Sequence, residues 1–262
     1  MHPLLRLPAV LASIVLAACI ETEPLPETSY GVIGLNAVVT STDTLLSPEA
    51  LFYRSSQLLI PTSSINQDAC TIAQYPTQGG EGSLPRFLDA GDSVAVSTAA
   101  LTRFLFPTIE DNRELYALPV DESMRFTPGE EVTITVPGAP GGFANGTISV
   151  FTAHAFTLDT VSSQPPEDST LKLRWTPAGD DSTKMLVQLR YGVDEAEPNQ
   201  QIFCELLDDG EAEVPAQLVT NWRNAELGSR EVDAARWRVA AKLVNDGVLV
   251  VVSAFEVEGA VD

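Results

Sequence analysis

The chain contains 262 residues, enough for one large or two ordinary domains. With 36 acidic and 15 basic residues, its formal net charge is −21. A surface of that sign repels phosphate backbones and anionic lipid head groups, so the composition predicts that the protein does not bind nucleic acid.

The first eighteen residues have the pattern of an export signal. Arg6 precedes an apolar run, Leu7 to Leu16, which is too short to span a bilayer. The run ends in Leu16-Ala17-Ala18-Cys19, which resembles the bacterial lipobox. The resemblance implies cleavage before Cys19, a diacylglyceryl group on its thiol and an acyl chain on the new amine, hence a membrane anchor. The alternative is an ordinary signal peptide with a chance cysteine at the cut.

Residue 20 bears on the destination of the lipoprotein. Ile20 stands where, in families with a retention rule, an Asp holds the protein at the inner membrane, so the resemblance implies a cell-envelope protein at the outer membrane. The polar residues that follow predict a tether over residues 19–29. After cleavage 14 basic and 36 acidic residues would remain, a net charge of −22.

Apolar and polar residues alternate with a period of two nearly everywhere after the tether. Examples are Glu131 to Val136 and Lys184 to Tyr191, and a hairpin is predicted at Asn245-Asp246-Gly247. The valines of Val248 to Val257 indicate a strand that is buried on both faces or partly covered by the N-terminal part. Short runs separated by Gly, Pro, Asn and Asp predict an all-β protein built from sandwich sheets.

Residues 162–169 carry Pro165-Pro166 and acids without an apolar pattern, and they predict a linker. The linker would divide an N-terminal β domain (residues 30–161) from a C-terminal β-sandwich (residues 170–262). Helix signals are thin: residues 214–222 predict a short helical turn or an edge segment, and residues 226–235 a turn or two.

The C-terminal part resembles the immunoglobulin-like and fibronectin-III-like sandwiches of exported bacterial proteins. Three features carry the resemblance: Trp175-Thr176-Pro177 at a strand end, the strand from Met185 to Tyr191, and Phe203-Cys204 ahead of Asp208-Asp209-Gly210. It implies a β-sandwich and leaves the function open, because such modules have many roles. An antibody-type subtype is excluded, because this part has a single cysteine.

Cys70 and Cys204 are the two cysteines left besides Cys19. In an exported protein they predict one disulfide, which would close a loop of about 134 residues. The alternative is two separately buried thiols.

Several motifs resemble catalytic signatures without their partners. Gly91-Asp92-Ser93-Val94 resembles the block that opens the GDSL-type hydrolases, yet no Asp-x-x-His pair fits around His154, the only histidine after cleavage. We interpret it as a hairpin turn, and His154 as a structural or surface residue. One histidine cannot form a multi-histidine zinc site. Ser169-Thr170-Leu171-Lys172 has the spacing of penicillin-recognising enzymes, but on a strand its serine and lysine point to opposite faces.

The remaining candidates are ligand contacts. Trp222 lies in a polar stretch and is predicted to be exposed, where it could stack on a sugar, whereas Trp175 and Trp237 are predicted to be core residues. The loops that hold Asp180, Asp181, Asp208 and Asp209 are weak candidates for calcium.

No cofactor and no catalytic residue is predicted. The expected function is a non-catalytic, lipid-anchored binding or structural module of the cell envelope, with an envelope protein or a glycan as its partner. A carbohydrate- or calcium-binding surface module is the first alternative. A carboxylate-dependent hydrolase, which needs two facing carboxylates, is the second.

Overall fold

The structure is a computed structural model, and it describes residues 27–39, 43–56, 68–75, 86–110, 113–193, 197–245 and 247–262. The predicted signal peptide, Cys19 and most of the tether lie outside these residues. No helix in the described ranges has the length and hydropathy needed to cross a membrane.

The predicted all-β class is confirmed. The described residues form one α-helix, α1 (Ala216–Asn224), a 3-10 turn at Leu227–Ser229 and sixteen strands. The strands are β1 (Thr28–Val39), β2 (Thr44–Ser55), β3 (Ala69–Gln74), β4 (Arg86–Phe87), β5 (Val94–Ser97), β6 (Thr102–Glu110), β7 (Arg113–Ala117), β8 (Met124–Arg125), β9 (Glu131–Val136), β10 (Gly146–Phe151), β11 (Leu171–Arg174), β12 (Thr183–Tyr191), β13 (Gln200–Leu207), β14 (Glu211–Val214), β15 (Glu231–Val244) and β16 (Gly247–Gly259).

Alternation along the strands produces the buried face. In β12 every second residue from Thr183 to Tyr191 is buried, and in β9 the buried residues are Val132, Ile134 and Val136. Successive side chains of a strand point to opposite sides, so each pattern covers one face of a sheet. In β16 the pattern changes, because the neighbours Val250 and Val251 are both buried. Cover on both faces, one of the two alternatives predicted for this strand, holds as far as Phe255, whereas Glu256 is exposed.

Fourteen strands form one sheet in the order β10-β9-β5-β6-β7-β2-β1-β16-β15-β12-β13-β3, with β4 and β8 paired to β2. β11 and β14 form a separate pair. β15 and β16 pair as predicted for a hairpin, with Val244 opposite Gly247; residue 246 of the predicted turn lies outside the described residues. All neighbours in this sheet are antiparallel except β1 and β16, which run parallel over nine residue pairs.

The sheet crosses the predicted boundary at residues 162–169. β1 pairs with β16, β3 pairs with β13, and the buried hydrophobic residues of both parts belong to one core cluster. The linker is held as well, since the Ser163 amide donates to an Asp262 carboxylate oxygen at 2.8 Å. As a division between independently folding units, the boundary stays a prediction.

The sheet curls so that its edge strand β10 lies against β15 and β16, which gives the sandwich its two layers. Lys242 Nζ donates to the Thr147 carbonyl at 2.7 Å, and the Ala153 amide donates to Ser253 Oγ at 3.0 Å. Between the layers Gly31 of β1 has no room for a side chain, because a Cβ there would lie 2.7 Å from the Phe52 ring. This close contact explains a glycine in the interior of a strand.

The helix α1 closes the C-terminal end of the core. Pro215 precedes it, which suits the fixed backbone of proline at a helix start, and Val219 and Trp222 form its buried side. The last carbonyls of α1 are satisfied by the buried Arg230, which donates to the carbonyl oxygens of Trp222, Arg223 and Ala225. Burial lowers the pKa of this guanidinium below its ordinary value.

Candidate functional site

A groove of about 1000 Å³ lies across β1, β16, β15 and β12. Its position follows from strand register, because Leu186 of β12 pairs with Ala235 of β15, which in turn pairs with Glu256 of β16. Val38 and Val39 at the end of β1 add apolar surface and are 46% and 61% exposed. The floor of the groove is therefore apolar, and it lies on the outer face of the sheet.

Three carboxylates surround this floor. Asp233 lies directly opposite Glu258 in the β15–β16 ladder, and Glu256 lies two residues along the same strand face. Like charges directly opposite each other destabilise a sheet pair. Among the described residues, neither Glu256 nor Glu258 makes an ion pair, so the groove keeps an excess of negative charge.

Among the described residues that line the groove, Arg190 is the one cation. Its guanidinium contacts Asp233 at 2.6 Å and Glu231 at 3.7 Å, and it donates to Gln188 Oε1 at 2.6 Å. The Tyr75 ring lies 4.6 Å from the guanidinium carbon. Arg190 is thus held by Asp233, Glu231 and Gln188. Among the described residues it forms no ion pair with Glu256 or Glu258, so these two carboxylates are not neutralised by it.

The sequence analysis did not identify this groove. The alternation in Phe255-Glu256-Val257-Glu258 places both carboxylates on one face, and this signal is visible in the sequence. The apolar floor comes from β1 and β12, however, and the pairing of these strands with β16 and β15 could not be obtained from the sequence.

The predicted exposure of Trp222 is wrong. Its side chain is 0% exposed, its Nε1 donates to the Ser162 carbonyl at 3.0 Å, and its ring meets Tyr191 edge to face. Trp222 lies on α1, and its polar sequence neighbours face outward while the indole faces the core. A buried ring cannot stack on a sugar, so Trp222 is not a ligand contact. Trp175 and Trp237 are buried, as predicted.

Asp208 is a buried structural carboxylate and not an open calcium ligand. Arg236 binds it through two nitrogens at 2.6 and 2.8 Å, and Thr183 and Trp175 donate to it at 2.6 and 2.9 Å. Burial of Asp208 raises its pKa, but the hydrogen bonds from Arg236, Thr183 and Trp175 outweigh burial, so the pKa lies below its ordinary value. With these four donors its oxygens have no capacity left for a metal.

The other three aspartates do not assemble a site around it. Asp180 accepts hydrogen bonds from the Ser182 amide and hydroxyl and forms an ion pair with Arg238. The backbone amide of Glu211 donates to Asp209 at 3.4 Å, and Asp181 is exposed. Within the described ranges, no three His, Cys, Asp or Glu side chains lie close enough together to hold a metal ion.

Cys70 and Cys204 lie directly opposite each other in the β3–β13 pair, and their sulfurs are bonded. The disulfide therefore fastens the edge strand β3 to the sheet. It joins residues 134 positions apart, one on each side of the predicted linker.

The motifs that resemble catalytic signatures have structural roles. Gly91 has a φ of 104° in a turn, where Tyr116 Oη accepts from the Ala90 amide and donates to the Gly91 carbonyl, both at 2.9 Å. Ser169 donates to the Pro166 carbonyl, while Lys172 contacts Glu213. His154 is half-buried next to Gly129.

No protein-family model, curated protein or solved structure matches this chain.

Proposed function

We propose that the protein is a lipid-anchored cell-envelope protein whose β body is a non-catalytic binding module. The anchor is supported by Leu16-Ala17-Ala18-Cys19, and Ile20 supports location at the outer membrane. Two acyl chains or more hold a protein stably at a membrane, whereas one does not.

The observation that carries the binding role is the groove with its apolar floor and its two glutamates that lack a cation. Ligand sites are concave, mostly apolar and provided with a few polar groups that orient the ligand. Glu256 and Glu258 lie on the same strand face, two residues apart, so they suit a ligand with repeated positive charges. The Val38 and Leu186 side chains suit apolar groups between those charges. The ligand class that fits is an extended cationic peptide with alternating apolar residues.

The binding role is tested with a fluorescent peptide of alternating lysine and leucine, titrated with the full chain. We expect binding that weakens with added salt, because exposed charges are screened. Glu256→Gln/Glu258→Gln should weaken binding at least about tenfold, or about 1.4 kcal/mol. Asp159→Asn/Asp168→Asn removes two exposed acids elsewhere and is the matched control. Equal affinity for both double variants would exclude the groove.

The anchor is tested separately by fractionation of cells. Cys19→Ser should move the protein from the membrane fraction to the soluble fraction, while Cys70→Ala should leave it with the membranes. Unchanged membrane association of the Cys19→Ser variant would refute the lipid anchor.

A further inference from the structure

A second surface, on the other layer of the sandwich, consists of the outward-facing residues of β6, β5, β9 and β10. Their inward-facing neighbours, such as Val96, Leu105, Ile134 and Ile148, are buried in the core. The outward side chains of this four-stranded sheet are exposed or partly exposed. Two residues of β15 lie at its β10 edge: Lys242 donates to the Thr147 carbonyl at 2.7 Å, and the Arg238 guanidinium carbon lies 5.9 Å from the Phe151 ring.

Hydroxyl groups form two rows across this sheet. The register places Thr102, Ser97, Thr133 and Ser149 side by side in one row, and Thr135 and Thr147 in the next. Ser97 and Thr102 share a hydrogen bond at 2.9 Å, and Thr133 and Ser149 share one at 2.8 Å. We call these six residues the hydroxyl face. Its side chains repeat at the strand spacing of about 4.8 Å.

Half-exposed phenyl rings flank the hydroxyl face at two opposite corners. Phe104 lies in the row of Thr135 and Thr147 at the β6 end and is 47% exposed. Phe151, at the β10 end, is 50% exposed. Threonine and phenylalanine both favour strands, and these two rings keep about half of their surface in solvent, where a ligand can reach them.

The hydroxyl face is also nearly free of charge. Among the outward side chains of residues 94–97, 102–106, 131–136 and 146–151, Glu131 at the rim is the one ionisable group. Arg103, on the inward side of β6 but with a side chain that is 39% exposed, pairs with Glu122 at 3.3 Å, and Lys242 lies at the β10 edge. In a chain with 36 acidic residues, this face is the exception. Like Arg103 with Glu122, Arg238 pairs with Asp180, while the exposed Lys242 and Glu131 carry opposite charges. The face therefore has little net charge and complements an uncharged partner.

We infer that the hydroxyl face binds a neutral polysaccharide. Serine and threonine hydroxyls both donate and accept hydrogen bonds, as sugar hydroxyls do. The apolar C–H faces of sugar rings pack against Phe104 and Phe151. A flat sheet surface with regular spacing suits an extended glycan chain better than a protein partner, which would require a more continuous apolar centre. The inference rests on the proposed non-catalytic binding role but uses a different layer from the groove.

The test is co-sedimentation of the full chain with microcrystalline cellulose and with chitin, together with affinity electrophoresis in dextran and in anionic alginate. We expect binding to at least one of the three neutral polysaccharides and none to alginate. Phe104→Ser/Phe151→Ser and, independently, Thr133→Asp should reduce binding at least about tenfold. Leu243→Ser removes a side chain that is 80% exposed on β15 and serves as the control that retains binding.

Circular dichroism and the cationic peptide titration accompany every variant. Intact spectra and unchanged peptide binding in the Phe104→Ser/Phe151→Ser variant would assign the loss to the hydroxyl face and not to misfolding. If the wild-type protein binds a glycan but not the cationic peptide, the proposed role of the groove is refuted and the proposed role of the hydroxyl face stands. Absence of binding to all three neutral polysaccharides, or binding that the face variants do not weaken, overturns the inference. Self-association that depends on Phe104 and Phe151, without glycan binding, would also overturn it and would make a second copy the partner.

Discussion

Trp222 packs its indole against the Tyr191 ring on the buried side of helix α1. Trp222 stands among Thr, Asn and Arg, which is the composition of an exposed segment. The structure places it on a helix of nine residues, where only Val219 and Trp222 are buried. Two apolar positions over so short a stretch do not reveal a helical period, and the tertiary contact with Tyr191 decides the orientation. Trp175 directly follows β11 and continues its alternation of buried and exposed residues, which predicted its burial.

Asp208 and Arg236 form the buried polar centre of the C-terminal part. Both side chains are only 1% exposed. Arg236 also donates to the carbonyl oxygens of Ala155 and Thr176, so it connects the segment after β10 with the end of β11. Sequence analysis treated Asp208 as a loop acid, because the arginine that pairs with it lies 28 residues away.

Replacement of Arg236 should be strongly destabilising. Arg236→Met leaves the Asp208 carboxylate buried without its cation, and breaking a buried pair by removal of one partner costs about 3–5 kcal/mol. We expect the free energy of unfolding in urea to fall by that amount. Arg174→Met, which removes an exposed arginine, should change it by less than about 1 kcal/mol. A loss of similar size in both variants would contradict the central role of this pair.

The lowered pKa of the Asp208 carboxylate predicts that the free energy of unfolding depends on pH. Because the pKa of Asp208 is lowered in the folded state, its ionised form stabilises the fold above the unfolded-state pKa of about 3.9. That stabilisation is lost as the pH falls through the folded-state value. Asp208→Asn lacks this titration, so the stability difference between wild type and variant should narrow below about pH 4. Urea unfolding at pH 7 and at pH 3 measures it, and a constant difference would exclude Asp208 as a contributor.

Individual strands were predicted well, because alternation is a local property of the chain. β9, β12 and the β15–β16 hairpin lie where the sequence pattern indicated them. The order of the strands was not predictable in the same way. The parallel pairing of β1 with β16 joins residues that are more than 200 positions apart, and no local pattern specifies such a partner. The groove depends on the pairing of β1 with β16, so neither the pairing nor the groove was predicted from the sequence.

The edge strand β3 should depend on the disulfide. Cys70→Ala/Cys204→Ala removes the link, which should lower the free energy of unfolding by about 2–5 kcal/mol through the larger entropy of the unfolded chain. Urea unfolding of wild type with added reductant should give the same value as the double variant. Reactive thiols in the unreduced native protein would contradict the bond. Intact-mass analysis should show that reductant increases the mass of the protein by two hydrogens.

At the scale of the whole molecule, the two parts of the chain complete each other's sheet. β16 receives β1 over nine residue pairs, and β13 receives β3. Without the N-terminal part, β16 would become a long open edge, and side chains such as Leu249 and Val251, which are 0% exposed, would lose cover. Long apolar strand edges are unstable and prone to aggregation.

The fragment of residues 170–262 should therefore not fold alone, although the sequence pattern marks it as a separate sandwich. We expect the full chain to unfold in one cooperative transition followed by circular dichroism and tryptophan fluorescence, with coincident midpoints. The fragment should show no cooperative transition, because the apolar area covered by β1 and β3 is exposed in it. A fragment that unfolds cooperatively, with a native-like spectrum, would make the boundary at residues 162–169 a true domain boundary and reduce the β1–β16 pairing to a contact between two stable units.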